Sequence, residues 1–227
     1  MTSQSSATII TPLRASDIAY EKLREMILDL RLEPGELLNE SSLASMLELG
    51  RMPVREAIGR LVTDHFIVVL PRRGTVVASM TMVDIADLFD AREAVECGIA
   101  RVVARHITDE QIEELRALVE VADTSRGEFD AERYLLNDLR IHRLIVDLLD
   151  NSLLRTTANT LLLHNLRFWR SFFRTRTPLV STMLSHADLL RALELRDGDA
   201  AEEATREHLE GARQLLMSLF ESNDNNR

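Results

Sequence analysis

Cysteine is almost missing from this chain, which has one, Cys97, in 227 residues. An intrachain disulfide is therefore excluded, and Cys97 reads as a small packing residue in a helix. Aromatic residues amount to only 4%, while Leu, Ala and Val dominate, a balance that favours packed helices. No run of apolar residues approaches the length of about 20 that a membrane-crossing helix needs. The segment Met1 to Ser16 lacks both a basic start and a long apolar stretch, so it does not read as a signal peptide. The expectation is a cytoplasmic protein without a membrane partner. Positive charge is also scarce overall, with a formal net charge of −10. That figure argues against a polyanionic partner until it is divided along the chain. Residues 1–80 carry nine basic and ten acidic side chains, and within 51–75 five Arg face only two acids. The local field, not the whole-chain charge, sets phosphate attraction.

The basic stretch sits in the pattern of a winged helix-turn-helix. A first helix is expected from Ser16 or Asp17 to Arg31, with Ile18, Leu23, Ile27 and Leu30 as its apolar stripe, and Glu33-Pro34-Gly35-Glu36 as the turn after it. A second runs from Asn39 or Glu40 to Leu47, and a third from Arg51 to His65 with Val54, Ala57, Ile58 and Leu61 on one face. Pro53 is compatible with that third helix if Gly50 is its N-cap, because a first-turn residue needs no helical N–H bond. Two short strands, Phe66–Leu70 and Thr75–Ala78, flank the turn Pro71-Arg72-Arg73-Gly74 and form the wing.

Arg51 and Arg55 are one turn apart and share a face, so both can enter a major groove, where a fork-on-guanine contact is worth about 1–3 kcal/mol. Arg72 and Arg73 at the wing tip can reach phosphates or the minor groove, and Gly74 lets the backbone approach closely. Glu56 is read as positioning a neighbouring Arg.

Beyond Ser79 the pattern changes to long helices over 82–105, 108–124, 129–149, 152–174, 178–196 and 199–221, punctuated by Gly127, Asn151, Pro178 and Gly198. Their short connections predict an antiparallel all-α bundle of about six helices. The fold class is thus mainly α: three helices and a two-stranded wing, then the bundle. The expected organisation is a flexible arm (1–14), the DNA-binding domain (15–78), a linker (79–81), the bundle (82–222) and a flexible tail (223–227).

In the bundle, Asp138 and His142 share a helix face that also carries Leu135, Ile145 and Leu149. His186 lies on the seam of Met183, Leu190 and Leu193, and His208 on that of Ala201, Ala204, Ala212 and Leu215. Each falls near the middle of its predicted helix, hence at one level of the bundle. Three inward imidazoles and a carboxylate are costly to bury unless partnered, and together they suit a divalent transition metal: zinc first, nickel or manganese as alternatives. Arg92 occupies the stripe of Ile85, Leu88, Val95, Ile99 and Val102, where its fork suits an effector carboxylate. The alternative is an internal ion pair with Glu96 or another acid. His164 is a further pocket candidate.

The first half resembles the GntR family of bacterial regulators, on Pro34-Gly35, Leu37, Glu40, Leu43-Ala44, Arg51-x-Pro53-Val54-Arg55-Glu56-Ala57, Leu61 and Pro71-x-x-Gly74. That resemblance implies DNA contact by Arg51, Met52, Pro53, Arg55, Arg73 and Gly74. Gly50 and Met52 depart from it, standing where Ser or Thr is usual, and His65 stands where Gly is frequent. The second half resembles the FCD ligand-binding domain of the FadR-type subfamily, on Arg92-x-x-x-Glu96, Asp138-x-x-x-His142, Asn151, His186-x-x-x-Leu190-x-Ala192-Leu193, Gly198-Asp199 and His208. It implies a metal held by the Asp and three His with an organic acid beside it. The combined expectation is a homodimeric repressor, not an enzyme, that binds a palindromic double-stranded operator and responds to a small carboxylate. A metal-dependent hydrolase built on the same four residues is the alternative.

Overall fold

The computed structural model describes residues 14–124, 130–175 and 185–224. The expected N-terminal arm up to residue 13, Gly127, Pro178, Met183 and the last three tail residues lie outside them. The chain divides between Ser79 and Met80 into two compact units.

The first unit holds α1 (Ala15–Leu28), α2 (Glu40–Leu47), α3 (Arg51–Thr63), β1 (Ile67–Leu70) and β2 (Gly74–Val77). Ala19, Tyr20, Leu23, Met26 and Ile27 line the buried face of α1. This helix stops a turn earlier than expected, because Leu30 adopts the left-handed conformation (φ 58°) and the Arg31 N–H donates back to the Met26 carbonyl. Glycine or asparagine normally takes that position. Here burial of the Leu30 side chain offsets the left-handed penalty of about 1–2 kcal/mol.

Helix α2 is capped by Asn39, whose side chain accepts from the Ser41 and Ser42 N–H groups. Helix α3 has Gly50 as its N-cap, which puts Pro53 in the first turn, and it buries Val54, Ala57, Ile58 and Leu61. It ends before His65, which is left-handed (φ 61°) and turns the chain into β1. The two antiparallel strands pair Ile67 with Val77 and Leu70 with Gly74; the first starts one residue later than expected and the second is shifted one residue earlier. The connecting turn has Pro71 followed by a left-handed Arg72 (φ 62°), closed by the Arg73 N–H on the Leu70 carbonyl. That is the type II pattern, with Arg where glycine is usual.

The second unit holds α4 (Met82–Ala104), α5 (Asp109–Thr124), α6 (Ala131–Asp147), α7 (Ser152–Thr175), α8 (Ala187–Glu194) and α9 (Gly198–Asp224). A reciprocal capping box between Thr81 and Asp84 starts α4. Cross-helix pairs set the directions. Glu132 meets Arg170 and Asp147 meets Asn159, so α6 and α7 are antiparallel. Asp90 meets Arg213, Glu93 meets Arg206 and Arg101 meets Glu202, so α4 and α9 are antiparallel too. The expected helix 178–196 is described only as α8, which begins at Ala187 with His186 as its N-cap. His186 is therefore a helix-start residue and not a mid-helix one.

Two apolar clusters fill the bundle. One joins Ile99, Val103, Ile141, Ile145, Leu162, Leu193 and Ala201. The other joins Ile85, Phe89, Leu135, Trp169, Phe172, Ala212 and Leu216. Between them, on α4, α6, α7, the start of α8 and α9, lies a layer of polar side chains: Arg92, Glu96, Asp138, His142, Asn165, His186 and His208. Leaving that layer dry and unpartnered would be costly.

Candidate functional site

At the start of α3, Arg51 and Met52 are exposed, Pro53 is half-buried and Arg55 is exposed. Met52 keeps 61% of its surface in the open. The two arginines differ in their engagements. Arg55 is clamped by Glu40 at the start of α2, Nε lying 3.2 and 3.1 Å from the carboxylate oxygens and Nη2 2.8 Å from one of them. The Arg55 hydrogen bonds hold the Glu40 carboxyl below its usual range. Arg51 makes no side-chain hydrogen bond among the described residues, so its fork is available. Arg60, further along α3, is paired with Asp17 at 2.7 Å and stacks 4.0 Å over the Tyr20 ring.

The residue that positions Arg55 is therefore Glu40, not Glu56. Fifteen positions separate the pair, and helical spacing carries no trace of it. At the wing tip Arg72, Arg73 and Gly74 are all exposed. Gly74 is left-handed (φ 99°), and a Cβ there would lie 3.2 Å from Leu37 Cδ1.

In the second unit the four expected ligands come together. Asp138, His142, His186 and His208 each offer one donor atom, all within 4.8 Å of one another. The Nε2 atoms of His142 and His186 are 3.2 Å apart, and Asp138 Oδ1 is 3.4 Å from the latter and 3.8 Å from the former. A tetrahedral ion with bonds of ~2.1 Å needs donors ~3.4 Å apart, so these separations fit.

The acid–base states fit as well. Burial, followed by the neighbouring His142, pushes the His186 pKa well below normal; burial, then His186 and His142, does the same to His208. Both rings are accordingly neutral at neutral pH, the form that ligates metals. His142 donates from Nδ1 to Glu96 (2.8 Å), which leaves the Nε2 lone pair aimed into the cluster. The Nδ1 atom of His186 is buried without a hydrogen-bond partner.

Arg92 takes the internal partner that the sequence left as the alternative to an effector carboxylate. Its fork is closed on Glu96, with Nε 2.6 Å and Nη2 3.2 Å from the two oxygens, both side chains being almost fully buried. The i,i+4 spacing on α4 makes that closure the local solution. Burial would raise the Glu96 pKa, but Arg92 and then His142 outweigh it and bring it to about 2. Arg92, Glu96 and His142 are thus a charge-compensated relay that orients one ligand.

Beside the cluster, a cleft is lined by Arg92, Asp138, Asn165, Trp169, His208 and neighbouring apolar side chains. His164 is half-buried and does not line it; Asn165, the next residue round the helix, does. The signal for Asn165 was its place on the seam of Leu162, Trp169 and Phe172, a polar residue at the spacing of core positions.

Two family models match the chain: "Bacterial regulatory proteins, gntR family" over residues 15–77 and "FCD domain" over residues 87–211. The HTH-type transcriptional repressor RspR of Escherichia coli (strain K12) is 28% identical over 204 residues, 90% of each chain. The gluconate operon transcriptional repressor of Bacillus subtilis (strain 168) is 28% identical over 144 residues, 63% of this chain and 58% of that protein. Among solved structures, Escherichia coli McbR/YncC matches with a TM-score of 0.76 at 18% identity, covering 92% of this chain and 100% of that one, a likeness of fold. The families and relatives are transcriptional regulators, not enzymes, which removes the hydrolase alternative.

Proposed function

The chain belongs to the GntR family of bacterial regulatory proteins and carries its FCD domain, and from that premise we propose a repressor controlled by a metal-bound metabolite. It binds a palindromic double-stranded operator as a homodimer, which sets two copies of α3 in successive major grooves. Arg51, Met52, Pro53 and Arg55 of α3 face the bases, and Arg72, Arg73 and Gly74 of the wing face the backbone or minor groove. The names of two relatives, both repressors, support the sign of the regulation.

The observation that carries this reading is Arg51: exposed, in the first turn of α3, one turn from Arg55 and not engaged by any carboxylate hydrogen bond. A planar five-donor fork in that state matches the guanine edge.

Asp138, His142, His186 and His208 would hold a divalent cation, with zinc the first candidate. A dication there supplies a Lewis-acidic anchor whose charge exceeds that of Asp138 by one, so the adjoining cleft favours an anion, here a small carboxylate effector. The Arg92–Glu96 pair fixes His142 and takes no part in binding the acid directly. Effector binding shifts the dimer between arrangements that do and do not fit the operator, by its differential affinity for the two.

Fluorescence anisotropy on the intergenic DNA upstream of the gene tests this. Arg51→Ala should weaken operator binding about 10- to 100-fold, in line with a contact of about 1–3 kcal/mol. Equal binding by the variant and the parent would reject the assignment.

A further inference from the structure

Taking the cleft beside the four-ligand cluster as the effector site, as proposed above, we infer that it accepts a small monocarboxylic acid with a hydroxyl next to the carboxylate and a compact apolar body.

The lining is graded along three helices. On α6, Asp138 is followed toward the N-terminus by Leu135 and Tyr134; on α7, Asn165 is followed toward the C-terminus by Trp169 and Phe173; on α9, His208 is followed by Ala212 and Leu215. The α7 and α9 sequences run opposite to that of α6, because α7 is antiparallel to α6 and the level of α9 is matched through the shared cluster of Leu135, Trp169 and Ala212. All three apolar sets therefore fall at the same end. One end of the cleft is polar, and the other merges with the aromatic core, where Trp169 and Phe173 stack with centroids 5.4 Å apart. A polyhydroxylated body would have to leave hydroxyls unpaired against that wall, a heavy desolvation cost.

Asn165 lies at the polar end, on α7. It is only 5% exposed, and its Oδ1 is buried with no hydrogen-bond partner. Few such groups survive in folded chains without a ligand or water to satisfy them. An ionised carboxylate has no proton to give, so the ligand needs a separate donor close to it, and a hydroxyl on the adjacent carbon meets that need. The cationic complement is limited too. Glu96 already neutralises Arg92, so the dication would carry the uncompensated positive charge beside this lining, and a second carboxylate would go unmatched.

The test uses the full zinc-loaded chain and isothermal titration with mandelate, phenylacetate, lactate, gluconate and succinate. Mandelate should bind at least tenfold more tightly than the other four, since phenylacetate lacks the hydroxyl, lactate the body, gluconate the apolar surface and succinate a second cation. Asn165→Leu should reduce mandelate to the phenylacetate level while leaving phenylacetate within twofold. Tighter binding of gluconate, lactate or succinate than of mandelate overturns the inference while the effector site stands. An equal loss for mandelate and phenylacetate in Asn165→Leu overturns it as well. Binding by none of the acids overturns the effector-site reading itself, and this inference with it.

Discussion

Replacing Arg92 by Met separates structure from ligation more cleanly than any change to the ligands. In the native chain Glu96 is almost fully buried and shares three short contacts, two with Arg92 and one with His142 Nδ1. Removing the guanidinium leaves a buried carboxylate with one imidazole for company. Breaking such a pair from one side costs about 3–5 kcal/mol. For a unit of this size each kcal/mol moves Tm by about 2–4 °C, so a fall of about 6–20 °C is expected. The assay is thermal unfolding followed by circular dichroism with chelator present, because bound metal would add its own stabilisation. The double variant Arg92→Met/Glu96→Leu should recover most of that loss, since an apolar pair of similar volume replaces the ionic one. It should not recover metal binding: without Glu96, His142 loses the partner that fixes its tautomer, and zinc affinity should fall about 10- to 100-fold. A fall in Tm under 2 °C for Arg92→Met, or parental zinc affinity in the double variant, would refute the relay.

Three further outcomes follow from the first unit. His65→Gly should raise stability by about 0.5–1 kcal/mol in urea denaturation, because His65 holds a left-handed backbone that costs a residue with a Cβ; a loss of stability would contradict it. Gly74→Val should destabilise the hairpin by about 1–2 kcal/mol or more, given φ of 99° and Leu37 Cδ1 3.2 Å from the new Cβ, and operator affinity should fall with it. Glu40→Ala removes an exposed ion pair and should change stability by less than about 1 kcal/mol. Its effect belongs to recognition: with Arg55 no longer held in place, competition anisotropy should show random DNA gaining on the operator, and an unchanged ratio would count against the clamp.

What could be read from the residues beforehand was whatever one helix carries by itself. Asp138 and His142 sit one turn apart among apolar neighbours, and His208 interrupts a seam of Ala and Leu, so their inward facing followed from periodicity. Gly50 and Pro53 likewise fixed the start of α3, because cap and first-turn chemistry are local. The misses have the opposite character. Glu40 reaches Arg55 across fifteen positions and Glu96 reaches His142 across forty-six, distances over which only the fold brings side chains together. Arg92 stayed open between two partners because an i,i+4 acid and an external carboxylate satisfy the same fork equally well in a linear reading. Asn165 went unnamed beside His164 because the two differ by a single residue step of about 100° around the helix, below what an apolar pattern resolves. The early stop of α1 escaped because Leu30, not glycine, takes the left-handed position.

The most direct measurement is the number of divalent cations retained per chain, by elemental analysis after reconstitution with zinc and exhaustive dialysis. About one equivalent in the parent, falling to none in His142→Ala/His186→Ala with the helical circular dichroism signal preserved, is the predicted result. No zinc, nickel or manganese retained by the folded parent chain would contradict the metal centre and the regulation built on it.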